Sequence, residues 1–186
     1  MTTVTLLGGA HPDKVHVDEV LATSGISKGS LYHHFEDFSD LIEAALIFRF
    51  SANVDRNIDA ITDILTSVTN RDEFFSGLAR ITVLTQGPDL APIRFERARA
   101  LGIAGNSDRF RARLGAEQHR VTDALADLFR EAQVKGWMNS EFDPQAAAVF
   151  IQSYTLGKVV DDITPEPMDH HAWVSLISRV AEKTFG

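Results

Sequence analysis

Apolar residues return every three to four positions along most of the chain, and no stretch shows the strict apolar–polar alternation of a half-buried strand. Val17, Val20 and Leu21 recur at i, i+3 and i+4 and predict a short helix over 17–23, with Asp18 and Glu19 in the first turn, where negative charge suits the helix dipole. Ser24-Gly25-Ile26 predicts a tight turn, and Ser27 is placed to cap a second short helix with Leu31, Phe35 and the ring of Tyr32 on its inner side. Asp37, with Asp40 as capping-box partner, predicts the start of a long helix over 38–68 whose apolar stripe is Leu41, Ile42, Ala45, Leu46, Ile58, Ile61 and Leu65. Two further helices fit 71–86, ended by Gly87-Pro88, and 89–102, ended by the glycines of GIAG.

Ser107 or Asn106 caps the next helix, whose buried stripe is Phe110, Leu114, Val121, Leu125, Leu128 and Ala132 and which stops at Lys135-Gly136. Asp143-Pro144 opens a helix over 143–160. Its AAAVFI run, followed by Tyr154, Leu156, Val159 and Val160, is apolar on nearly every side and needs cover on two faces. The last helix, over 169–185, is capped by Asp169 and carries Trp173, Leu176, Ile177, Val180 and Phe185. The fold class is therefore all-α.

Residues 17–35, VDEVLATSGISKGSLYHHF, read together as a helix-turn-helix. Ser27, Lys28, Gly29, Ser30 and His33 are left facing outward, where small residues allow close approach to a major groove. Lys28, Tyr32 and His33 can donate to phosphates. The segment SGISKGSLYHHF resembles the DNA-binding segment of the tetracycline-repressor (TetR) family of bacterial transcriptional regulators, over about residues 15–47.

That resemblance implies a helix-turn-helix three-helix domain over 1–47 and a larger helical ligand-binding and dimerisation domain over 48–186. It implies a homodimeric regulator, most often a repressor, that reads a palindromic operator in double-stranded DNA and leaves it when a small organic effector tilts the long helix. For the effector it implies the helices carrying Phe74, Phe95, Arg99, Phe110, Phe129, Trp137 and Tyr154. For the dimer surface it implies the last two helices, with Ala147, Phe150, Tyr154, Gly157, Trp173 and Ile177.

The chain departs from the family pattern in three places. Phe38 stands where a phosphate-binding lysine is usual, His16 replaces the usual threonine cap, and only MTTVTLL precedes Gly8-Gly9 where a four-turn helix is expected. The short beginning leaves at most two turns, as expected of a chain whose start was assigned too late, or of a regulator with reduced DNA affinity.

Charge sharpens the question. The net charge is -8 at pH 7. Residues 1–50 carry Lys14, Lys28 and Arg49 against Asp13, Asp18, Glu19, Glu36, Asp37, Asp40 and Glu43. Phosphate neutralisation supplies most non-specific affinity, so this balance predicts weak DNA binding. The alternative function is an all-helical small-molecule or protein-interaction module of the same fold with little DNA affinity. Arg94, Arg97, Arg99, Arg109, Arg111, Arg113 and Arg120 form a basic stretch with two readings: an anionic effector met inside a cavity, or a solvated, salt-bridged surface.

With no cysteine there is neither a disulfide nor a thiolate metal site. His11 and His16 are separated by a loop, His33-His34 and His170-His171 are expected to point apart, and His119 is alone, so no metal and no cofactor is expected. HExxH, GxSxG, Walker and dinucleotide motifs are absent, so no enzyme and no catalytic residue is expected. No apolar run approaches the ~20 residues of a membrane span and the N-terminus lacks a signal-peptide pattern, from which a cytoplasmic location is expected.

Overall fold

The computed structural model describes residues 2–9 and 14–186; His11 lies outside the described residues, as do the side chains of Leu7 and Leu65. Ten α-helices and no strand are found among the described residues. The first four, α1 (Thr2–Gly9), α2 (Val17–Ser24), α3 (Lys28–His34) and α4 (Phe38–Ser67), build the N-terminal part. Gly25 ends α2 in the left-handed region at φ 72°, donating its N–H to the Leu21 carbonyl at 2.9 Å, a conformation a side chain would strain. Ser27 then caps α3 by accepting from the Ser30 amide at 3.1 Å. Val15, Val20, Leu31, Leu41 and Ala45 are buried together, with Val4, Leu6, Phe35 and Phe38 packed on them. The two turns of α1 supply part of that cover.

Asp37 caps α4, accepting from the Asp40 amide at 2.6 Å. Asp40 returns its carboxylate to the amide of Glu36, one residue before the cap, instead of closing the expected capping box on Asp37. From there α4 runs unbroken for 30 residues into a second core. That core is walled by α5 (Arg71–Gln86), α6 (Ala91–Ala104), α7 (Asp108–Val134), α8 (Pro144–Gly157), α9 (Val159–Asp162) and α10 (His170–Phe185). The long α7 packs along α4 on one side and α8 on the other, while α10 lies against α5. Phe74, Phe110, Leu128 and Phe129 are fully enclosed. Leu46 touches both cores, so α4 joins them without a gap.

Three expectations are corrected. The ring of Tyr32 is exposed: α3 spans only seven residues, its inner line is taken by Leu31 and Phe35 four positions apart, and Tyr32 stands about 100° away from Leu31. The sixth helix begins at Ala91, after a 3-10 turn over Pro88–Leu90, and so runs two residues later than its apolar pattern suggested. The helix expected over 143–160 ends at Gly157; Lys158 keeps right-handed helical backbone angles (φ -55°, ψ -23°), ion-pairs with Asp161 and with Asp162 at 3.3 Å, and the short α9 follows at once.

Candidate functional site

The N-terminal end of α3 is open. Ser27, Lys28, Gly29, Ser30, Tyr32 and His33 are all exposed, while Leu31 beneath them is buried and anchors the helix. Because the Ser27 hydroxyl is committed to the Ser30 amide, the first turn keeps its other N–H groups directed outward, the geometry that suits an anionic backbone. Phe38 does not stand on this open surface as a lysine substitute; it is partly buried and packs on the N-terminal core.

The acidic corner behind this helix is counter-charged from α7. Arg109 donates to Glu43 and to Glu36, each at 2.8 Å, and lies 3.6 Å from Asp37 and 3.8 Å from Asp40. Arg113 donates to Asp40 at 2.8 Å, and Ser107 donates its hydroxyl to Glu43 at 2.8 Å. Burial works against the charge of Asp40, but the bond from Arg113, the amide of Glu36 and the two guanidinium charges outweigh it and hold the carboxyl below its ordinary value. Arg109 is held charged more firmly than usual, chiefly by its bond to Glu43. Glu36, Asp37, Asp40 and Glu43 are thus taken up by two arginines from far along the chain, while Asp18 and Glu19 remain outside this cluster. Arg109 and Arg113 stand one helical turn apart, but nothing local in the sequence pairs them with Glu43 and Asp40, 66 and 73 positions away.

A cavity of about 860 Å³ lies among α4, α5, α6, α7, α8 and α10. Of the residues expected around an effector, Phe74, Phe129 and Tyr154 line it. Phe95, Arg99, Phe110 and Trp137 do not. Arg94 and Arg97, three apart, face the cavity from α6, which turns Phe95 and Arg99 outward; Arg99 lines a separate space of about 30 Å³ with Arg49, Phe50 and Glu96. Phe110 is sealed in the core, and Trp137 stacks outside the wall, tilted on Phe74 at 6.1 Å and covered by the Lys135 ammonium at 4.7 Å. Burial raises the Tyr154 hydroxyl pKa, against a hydrogen bond with Thr82.

Arg94 is nearly enclosed and fully used. Its guanidinium meets Asp162 at 2.5 and 2.8 Å and the carbonyls of Thr85 and Gly87 at 2.7 and 3.1 Å. This pins α6 to the α5–α6 connection and to α9. Arg97 lines the same cavity and has no such partner among the described residues.

On the outer side of α8 to α10, Val149, Phe150, Val160, Ile163 and Leu176 are exposed. Gly157 is exposed too, and a Cβ placed on it meets nothing within 4 Å. Two residues expected on this surface are corrected: Ala147 and Ile177 are buried within the chain itself and offer no area to a partner. Trp173 is partly buried, its indole donating to Gln86 at 2.8 Å. The histidine pairs do not point apart: the rings of His33 and His34 meet edge to face at 5.1 Å, and those of His170 and His171 are tilted at 5.8 Å. Among the described residues no three His, Asp or Glu side chains are grouped as metal ligands, and no helix is long and apolar enough to cross a membrane.

An exposed helix-turn-helix joined by one continuous helix to a hollow all-α body is the architecture of the TetR/AcrR-family transcriptional regulators, and this chain has their fold. A transcriptional regulator of that family from Thermobifida fusca superposes with a TM-score of 0.67 at 12% identity, over 98% of this chain and 93% of that one. FadR from Bacillus subtilis, solved with stearoyl-CoA, gives 0.66 at 14% identity over 96% and 93%. In sequence, the transcriptional regulator AcuR of Cereibacter sphaeroides is 31% identical over 141 residues, 72% of this chain, and the chain spans 60% of that protein's length. No family model matches the chain. These relatives are transcriptional regulators, not enzymes.

Proposed function

We propose that the chain is a ligand-responsive, DNA-binding transcriptional regulator, with residues 1–47 reading DNA and 48–186 binding effector and dimerising. It acts as a homodimer on a palindromic operator and, as a repressor, leaves that operator when a small organic effector enters the cavity. The observation that carries this reading is the course of α4. Its first turn is tied to the corner beside α3, and its later turns bring Asn53, Asn57, Ala60 and Ile61 to the cavity wall. A ligand that favours one setting of α4 therefore shifts the placement of α3. FadR was solved with stearoyl-CoA in a related fold, and a cavity of about 860 Å³ here is in the size range of small-molecule sites.

The rival reading, a module without useful DNA affinity, drew its support from the acidity of residues 1–50, and Arg109 and Arg113 remove much of that support. The open α3 terminus is tested through salt. Lys28→Ala is expected to weaken binding to all duplex sequences alike and to lower the magnitude of the log K against log salt slope by about one. Binding that is unchanged by the substitution, in strength and in slope, removes Lys28 and the α3 terminus from the interface.

A further inference from the structure

The charged groups on the cavity wall are not equivalent. Arg94 is consumed by Asp162 and two carbonyls, Arg71 lies over the Phe75 ring at 5.0 Å, and Arg56, Asp72 and Glu182 are exposed. Arg97 is different. Among the described residues it makes no ion pair and no hydrogen bond, and its guanidinium lies over the ring of Phe50, 6.0 Å from Cζ. Its neighbour Glu96 is taken by Arg49. Burial alone accounts for the lowered pKa of Arg97. Arg97 and Asn53 line both the large cavity and the space of about 30 Å³, so they stand where the two adjoin. The smaller space has room for little more than a water, so a counter-charge of any size must come from the large cavity.

A partly desolvated guanidinium without a counter-charge carries a cost that an anion removes. Around it the wall is largely apolar, with Ile61, Phe74, Leu78, Phe129 and Met138. One negative charge is enough to pair Arg97; of the other arginines lining the cavity, Arg56 is exposed and Arg71 lies over the Phe75 ring. The planar guanidinium fork also fits a carboxylate's two oxygens.

We propose that the cavity binds an amphipathic monocarboxylate, its carboxylate held by Arg97 beside Asn53 and its apolar body lying along Ile61, Phe74, Phe129 and Met138. This rests on the regulator reading for its purpose, since the carboxylate would be the effector. Loss of an unpaired charge on binding makes the carboxylate, and not the tail alone, the group that discriminates ligands.

Calorimetric titration of the full chain without DNA, with decanoate and with decanol of the same length, tests this. Decanoate is expected to bind at least about tenfold tighter than decanol. In Arg97→Met that preference is expected to vanish while decanol affinity persists, which also shows that the cavity is still formed; Arg97→Lys should keep part of the preference. Equal affinity for the two in the unmodified protein, an undiminished preference in Arg97→Met, or no binding of decanoate overturns the proposal. Because no DNA is present, such a result leaves the DNA-binding reading standing, and failure of DNA binding would leave this result untouched.

Discussion

Arg94 and Arg97 sit three positions apart on α6, face the same cavity and meet opposite environments: one is wrapped by Asp162 and carbonyls, the other has only an aromatic ring. Nothing local in the sequence separates them. The carboxylate that claims Arg94 lies 68 positions away, and the phase of α6 depends on a start set by a 3-10 turn. For that reason the sequence offers Arg99 as readily as Arg97, and it is Arg97 that the fold turns to the cavity beside Arg94. The buried pair gives a direct test. Asp162→Asn would leave Arg94, almost without solvent, bound to two carbonyls and no charge. Breaking such a pair costs about 3–5 kcal/mol, to be read as a lower denaturation free energy. A change below about 1 kcal/mol would mean that Arg94 reaches solvent or another partner. Phe38 teaches the same lesson from the other side, since a position matched to a surface lysine is filled by a ring that the N-terminal core covers.

At the scale of elements, the caps were legible and the long-range ionic contacts were not. Ser27, Asp37, Ser107, Asp143 and Asp169 each accept an amide three residues on, as their types and positions foretold, because a cap is satisfied within one turn. The clamp of Arg109 and Arg113 on the α3–α4 corner depends on residues brought together only by folding. The clamp links the start of α7, a wall of the cavity-bearing body, to the cap of α4. Asp40, with its carboxyl held below the ordinary value, contributes stability that is present at neutral pH and above the unfolded value of about 3.9. That contribution is lost as pH falls through the lower folded value. Replacing Arg109 and Arg113 by methionine should therefore lower the melting temperature at about pH 7, with the gap from the unmodified protein closing toward about pH 3. A gap independent of pH would show that the arginines act by packing and not by charge.

Taken as a whole, the molecule has two cores sharing Leu46 and one helix running through both. The all-α class and the helix-turn-helix were readable because periodicity, caps and the Gly25 turn are local. The cavity was not, since a void is the space left between helices whose relative placement no single segment encodes. The exposed Val149, Phe150, Val160 and Ile163 give α8 and α9 an apolar outer face. In a twofold dimer that face would be covered and two copies of α3 would be presented to one duplex. The measurement that bears on this most directly is selection of bound duplexes from a random library by the full chain. The account predicts enrichment of a sequence with twofold symmetry, its half-sites about one helical turn or a multiple apart, with two chains on each duplex. No enrichment over unselected DNA, at low salt where phosphate contacts are strongest, would contradict it.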